Sequence, residues 1–201
     1  MLARQEYCEG KQMEHSKTFY TSERKKWREW LSENFETEKE IWFVFPMKAS
    51  GEKSLSYNDA VEEGLCFGWI DSTIKHSDPL HRVQRFSPRK NGSQYSRANV
   101  ERLIWLESQG LIHPKVRESV LEVINAPYEF PADIVKVIRK DLRAWENYEK
   151  FPEAYKRIRI AYIDAARKRP LEFKKRLEHF MCRTKENKLI AGYGGIEKYY
   201  K

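Results

Sequence analysis

The chain has 201 residues, of which 40% are hydrophobic, 34% charged and 13% aromatic, with a formal net charge of +8. That aromatic share supplies enough buried area to offset chain entropy, which excludes a disordered chain. The longest apolar run, IWFVFPM at 41–47, has seven residues against the about 20 that a membrane-spanning helix needs.

The charge is unevenly placed. Residues 131–190 hold 17 Lys and Arg against 9 Asp and Glu, while the rest of the chain holds 21 of each sign. All of the net charge therefore falls in the C-terminal third. Such asymmetry marks either solvated helix faces, the better-supported reading, or a nucleic-acid or membrane-surface partner. Cys8, Cys66 and Cys182 are odd in number, widely spaced and form no CxxC pair. A disulfide framework or zinc knuckle is not expected, and a cytoplasmic location is.

In chain order, residues 1–17 are polar and aperiodic, without the apolar region of a secretory signal, and are expected to be disordered. A helix is predicted from Ser22 as N-cap, with Trp27, Trp30, Leu31 and Phe35 on one stripe. IWFVFPM is apolar on both alternating faces, which predicts a central strand that ends near Pro46. KASGEKS is turn chemistry. Ser56 with Asp59 resembles a capping box for a short helix that buries Ala60, Val61, Leu65 and Cys66. WIDSTIKH and HRVQRFS, joined across SDPL, predict a β-hairpin. Alternation puts Ile70 and Ile74 on an apolar face and Trp69, Asp71, Thr73 and Lys75 on a wet or functional one.

SPRKNGSQYS reads as a loop before a helix that starts near Ser96 and is capped by Gly110. Beyond it the chain turns wholly helical. Pro114, Pro131, Pro152 and Pro170 stand at helix starts, and four apolar stripes follow. They are Val116/Val120/Val123/Ile124, Ile134/Ile138/Leu142/Trp145, Tyr155/Ile158/Tyr162/Ala166 and Phe173/Leu177/Phe180/Met181. The expected class is α+β: a small antiparallel or mixed sheet with packed helices, followed by a helical C-terminal region. The expected divisions are 1–17, 18–112, 113–190 and a tail at 191–201.

The densest chemistry lies at 64–99. Arg89 and Lys90 bring charge to a loop where Gly92 permits close backbone approach, and Ser93 and Ser96 offer hydroxyls beside a helix N-terminus. With Arg85 from the hairpin, these residues form a candidate anion site, with Trp69, Asp71 and Tyr95 as candidate lining. The competing reading is a basic turn with a serine cap, and a structural Asp71–Arg85 or Asp71–Arg89 pair under a partly buried Trp69. His76, His81 and Asp78 share a turn but match no metal-ligand spacing. No nucleophile elbow, P-loop or HExxH motif occurs. Lys168, Arg169, Lys174 and Lys175, clustered about Pro170 within the basic stretch 156–176, offer a sequence-nonspecific surface for nucleic acid.

SYNDAVEEGLCFGWIDS and RFSPRKNGSQYSRANVERL resemble the YdeI/OmpD-associated family, also called bacteriocin-protection proteins. WREWLSENFETEKEIWFVFPMKASG upstream, and FPADIVKVI and FKKRLEHFM downstream, fit the same layout, so that the resemblance spans roughly residues 18–182. Ser72 stands where a glycine often follows the Asp, and Tyr95 where a tryptophan is expected. The resemblance implies a small α+β N-terminal unit with a helical C-terminal region, and a role linked to stress or antimicrobial protection. The resulting expectation is a cytoplasmic binding protein without a cofactor or catalytic residues, whose partner is an anionic small molecule or an acidic protein. Nucleic acid is the alternative.

Overall fold

The computed structural model describes residues 17–90, 92–191 and 197–200. These residues pack as two compact units, one over 17–64 and 69–89, the other over 65–68 and 90–200.

The first unit contains a mixed four-stranded sheet in the order β1 (Thr18–Phe19), β2 (Ile41–Pro46), β4 (His81–Pro88), β3 (Trp69–Asp78). β1 runs parallel to β2, and the other neighbours are antiparallel. The apolar run at 41–46 is thus an interior strand, as its two-sided hydrophobicity predicts. Ile41, Phe43 and Phe45 pair with Phe86, Gln84 and Arg82 and share one face with them. Two helices cover that face. α1 (Arg24–Asn34) brings Trp27 within 5.0 Å of Phe43 and 5.5 Å of Phe86, ring centroid to centroid. α2 (Tyr57–Cys66) lies so close that a Cβ on Gly64 would come within 3.3 Å of the Phe86 ring. The Trp27 indole also donates to the Ala60 carbonyl at 3.1 Å, so the two helices are tied as well as packed.

Ser22 does not cap α1. Glu23 holds the N-cap position without a side-chain bond, and the Thr21 hydroxyl accepts from the Glu23 N–H at 3.0 Å. The hydroxyl one residue earlier forms a local turn in place of the expected cap. Ser56 does begin α2 as its sequence implies, since its hydroxyl accepts from the Asp59 N–H at 3.0 Å.

The hairpin turns at Pro79 and Leu80, between strands that end at Asp78 and begin at His81. Its faces differ from simple alternation. Asp71 pairs with Phe86 but Ile74 pairs with Gln84, so one extra residue is inserted in β3 between them. A bulge of this kind reverses the parity of the side chains up to the next register shift, which lies between His76 and Asp78. Trp69 precedes the bulge and lies in the aromatic core because its partner Pro88 is two residues along β4 from Phe86, on the same face. Its indole donates to the Phe35 carbonyl at 3.1 Å, while Ile74, beyond the bulge, is 56% exposed. The expected wet face for Trp69 and apolar face for Ile74 are both corrected.

The second unit is helical. α3 (Arg97–Ser108), α4 (Pro114–Asn125), α5 (Ala132–Arg139), α6 (Leu142–Lys150), α7 (Glu153–Asp164) and α8 (Pro170–Lys185) follow in order. Ser96 caps α3 by accepting from the Asn99 N–H, and Gly110 adopts the left-handed conformation just beyond that helix (φ +64°). α3 groups with the helices after it, through Glu101, which takes both Arg157 nitrogens at 2.6 and 2.8 Å and also pairs with Arg97. The stripe Ile134/Ile138/Leu142/Trp145 is two helices, not one. The Asp141 carboxylate accepts from the Ala144 N–H at 2.9 Å and starts α6, which leaves Leu142 79% exposed. The core of the unit is built on Ile134, Ile138, Tyr148, Tyr155, Ile163 and Phe180. In the tail, Glu197–Tyr200 forms a 3-10 turn, with Tyr199 buried against Ile158 and near Trp105. Among the described residues no helix is long and apolar enough to cross a membrane.

Candidate functional site

Strands and the loop after them distribute the sequence-predicted site residues over both units. Trp69, Asp71, Arg85 and Arg89 belong to the first; Lys90, Ser93, Tyr95 and Ser96 belong to the second. Asp71 accepts from the Tyr57 hydroxyl at 2.7 Å and from the Gln84 amide at 2.6 Å. The anticipated pairs with Arg85 or Arg89 are replaced by these neutral donors. Arg85 pairs instead with Glu40 at 2.7 Å. Its hydrogen bond holds the Glu40 carboxyl below the usual carboxylate range. Glu40 is 45 positions away, and nothing local in the sequence announces the contact. In the loop, Gly92 has φ +76°, the Ser93 N–H donates to the Lys90 carbonyl at 3.1 Å, and Lys90 and Ser93 are exposed. Arg89 and Tyr95 are half-buried.

His81 shows why its turn does not form a metal centre. Nδ1 lies 2.9 Å from Asp78 and Nε2 lies 2.8 Å from Glu52, so the two carboxylates face opposite sides of one ring. These bonds, chiefly the one to Asp78, raise the imidazole above its ordinary pKa. Among the described residues no group of three or more His, Cys, Asp or Glu side chains is placed to hold a metal ion.

The basic stretch 156–176 is largely occupied by internal bonds. Arg157 binds Glu101, Arg159 donates to the Ile190 carbonyl at 2.5 Å, and Arg167 makes a two-point contact with Asp133 at 2.9 and 2.7 Å. Arg176 donates to Glu172 and to the Tyr162 carbonyl, both at 2.7 Å, and its guanidinium stacks 3.7 Å over the Tyr162 ring. Lys168, Arg169 and Lys175 remain exposed. A charge count along the sequence treats all these cations alike; only the tertiary structure separates the engaged from the exposed.

A different cationic site forms earlier in the helical unit. A cleft of 720 Å³ lies among α5, α6 and the start of α7. Lys136, Arg139, Lys140 and Lys156 line it, and its one carboxylate is Glu153. Phe130, Ala132, Val135, Trp145 and Tyr148 form the apolar remainder. Helical spacing explains the arrangement: Ile134 and Ile138 anchor α5 in the core, so Val135, Lys136 and Arg139 fall on a different face. Arg139 lies 4.6 Å above the Trp145 ring, Trp145 stacks on Tyr148 at 5.6 Å, and the Lys156 ammonium lies 5.2 Å from the Tyr148 ring centre. Cation–π contact thus holds two of the four cations in place. Lys156 has a side chain only 9% exposed, and its ammonium is 2.5 Å from Glu153. Among the described residues, no carboxylate lies within ion-pair distance of Lys136, Arg139 or Lys140. Burial, with Glu153 nearby, pushes the Tyr148 phenol well above its ordinary pKa. Trp145 is expected from the sequence on an apolar stripe, whereas neither Tyr148 nor the cleft is expected there, although cations at i, i+3 and i+4 from Lys136 are a visible signal.

Comparison with known families divides the chain between residues 119 and 127, beyond the division of the two compact units at 89/90. Residues 19–119 match a domain of unknown function (DUF8412). Residues 127–187 match the family described as bacteriocin-protection, YdeI or OmpD-associated. The resemblance to the latter family therefore holds over 127–187, the region with FPADIVKVI and FKKRLEHFM, whereas the hairpin and basic-loop motifs fall within the former. Neither the curated proteins nor the solved structures contain a match to the chain.

Proposed function

For a chain that belongs to the DUF8412 family through residues 19–119 and carries a YdeI/OmpD-associated region at 127–187, we propose the role of a cytoplasmic binding protein for a small anionic ligand, held in the cleft of the helical unit. One observation carries this reading: Lys136, Arg139 and Lys140 line a concave surface with no carboxylate within ion-pair distance among the described residues, beside a Lys156 removed from water. Clustered cations repel one another, and a bound anion relieves that repulsion. Apolar walls around them lower the local dielectric and strengthen each contact. Three widely spaced cysteines without a CxxC pair suit a reducing compartment.

Inorganic pyrophosphate is a suitable first probe, followed by isothermal titration at low and moderate salt. Replacing Lys136 and Arg139 with Ala removes two charge-assisted contacts, each worth about 1.5–3 kcal/mol. Loss of binding by more than a hundredfold, with an unchanged melting temperature, is the expected result. Arg89→Ala with Lys90→Ala tests the basic loop in parallel. If that pair abolishes binding and the cleft pair does not, the anion sits at Arg85, Arg89, Lys90, Ser93 and Ser96 and the cleft assignment is wrong.

A further inference from the structure

The cleft offers more than charge, and its composition restricts the anion. We infer that its ligand is a nucleoside polyphosphate: a flat aromatic body joined to a chain of phosphates. The inference rests on the reading of the cleft as an anion site and adds the ligand class.

Charge balance is the first argument. Four cations line the cleft against one carboxylate, so a monocarboxylate or a single phosphate monoester would leave much of the field uncompensated. A diphosphate or triphosphate would not. The placement of the cations is the second argument. Arg139 and Lys156 lie over different rings of the stacked pair Trp145 and Tyr148, whose centroids are 5.6 Å apart. A ligand that uses both needs several charged groups in a row. Because each cation rests on a ring, little side-chain freedom is lost when phosphate binds. The third argument is the wall that bears no charge. Phe130, Ala132 and Val135 line the same cleft, and the Phe130 ring is braced edge-on by Tyr128 at 5.0 Å and 89°. A polyphosphate alone gains nothing from such a wall, whereas a planar base gains stacking on Phe130 or on the guanidinium of Arg139. The volume of 720 Å³ suits one small molecule. A nucleic-acid strand would need basic groups that continue from the cleft, yet Arg157, Arg159, Arg167 and Arg176 are engaged within the protein, and the exposed Lys168, Arg169 and Lys175 do not line the cleft.

The test is isothermal titration of the full chain with ATP, inorganic tripolyphosphate and a twelve-residue oligothymidylate, in EDTA-containing buffer. ATP is expected to bind at least tenfold more tightly than tripolyphosphate. Phe130→Ala should weaken ATP about tenfold and leave tripolyphosphate unchanged, whereas Arg139→Ala should weaken both. Phe130 is partly buried, so Val135→Asn, which makes the apolar wall polar without adding charge or removing a core ring, is the second variant, with the same selective loss of ATP expected. Equal affinity for ATP and tripolyphosphate would overturn the nucleotide assignment and leave the anion reading standing. Tighter binding of the oligonucleotide than of ATP, insensitive to Phe130→Ala, would overturn it in favour of a strand. Failure of all three probes to bind would sink both readings together.

Discussion

Arg24→Met tests what ties the two helices of the first unit together. The Arg24 guanidinium lies 2.7 Å from Asp59, 3.0 Å from Glu62 and 2.5 Å from Glu63, all on α2. Glu62 and Glu63 are buried, and their charges are tolerable there only because a cation is at hand. Removing one partner of a buried pair costs about 3–5 kcal/mol, since the other charge is left without compensation. Two features reduce that figure. Arg24 is itself about one-third exposed, and Glu63 keeps its 2.7 Å contact with Arg28. We therefore expect a loss of about 2–3 kcal/mol, read from urea unfolding followed by circular dichroism with an unchanged m-value. Adding Glu62→Gln to Arg24→Met should restore part of the loss, because the amide removes the uncompensated charge. A loss below about 1 kcal/mol, or no recovery in the double variant, would refute the claim that compensation of buried carboxylates holds α1 to α2.

Other perturbations address single local features. Gly68 has φ +71°, and a Cβ there would meet Val116 only at ordinary contact distances of 3.4 and 3.5 Å. Gly68→Ala should thus cost about 1–2 kcal/mol from backbone strain alone, and Gly68→Asn should cost less because Asn tolerates the left-handed conformation; equal losses in thermal unfolding would contradict this. Asp141→Ala removes the cap of α6 beside the proposed cleft and should cost about 1 kcal/mol, with faster amide exchange at Ala144; unchanged exchange would refute the capping role. His81 has its folded-state pKa raised, first by Asp78 and then by Glu52. Its contribution is therefore complete below the ordinary histidine pKa and is lost as pH rises through the higher folded value. Asp78 is lowered, first by the Leu80 N–H and then by His81, so its contribution disappears as pH falls through the folded value. A His81→Gln variant should show a weaker decline in melting temperature between pH 6 and pH 9 than the parent; parallel curves would remove His81 from the account.

Much of the architecture follows from signals confined to a few neighbouring residues. Two-sided hydrophobicity at 41–46 gave the interior strand, Asp78-Pro79 gave the hairpin turn, and Ser96, Pro114 and Pro170 gave helix starts, because turns and caps depend on backbone geometry within four residues. Asp141 belongs to the same class of signal and was legible in principle; the apolar stripe through Leu142 concealed it. The bulge in β3 was not legible. It depends on which residues of β4 lie opposite, and an inserted residue reverses the outlook of the side chains between it and the next register shift.

The candidate site divides along the same line. By itself the sequence determined that positive charge is concentrated in the C-terminal third. Only the tertiary structure decided which cations are available. Arg85 meets Glu40 and Arg157 meets Glu101 across long sequence separations, while Lys136, Arg139, Lys140 and Lys156 converge with two stacked rings on one cleft. Composition fixes the sum of charge. Availability depends on distances between side chains far apart in the chain, and those distances exist only once the helices have packed.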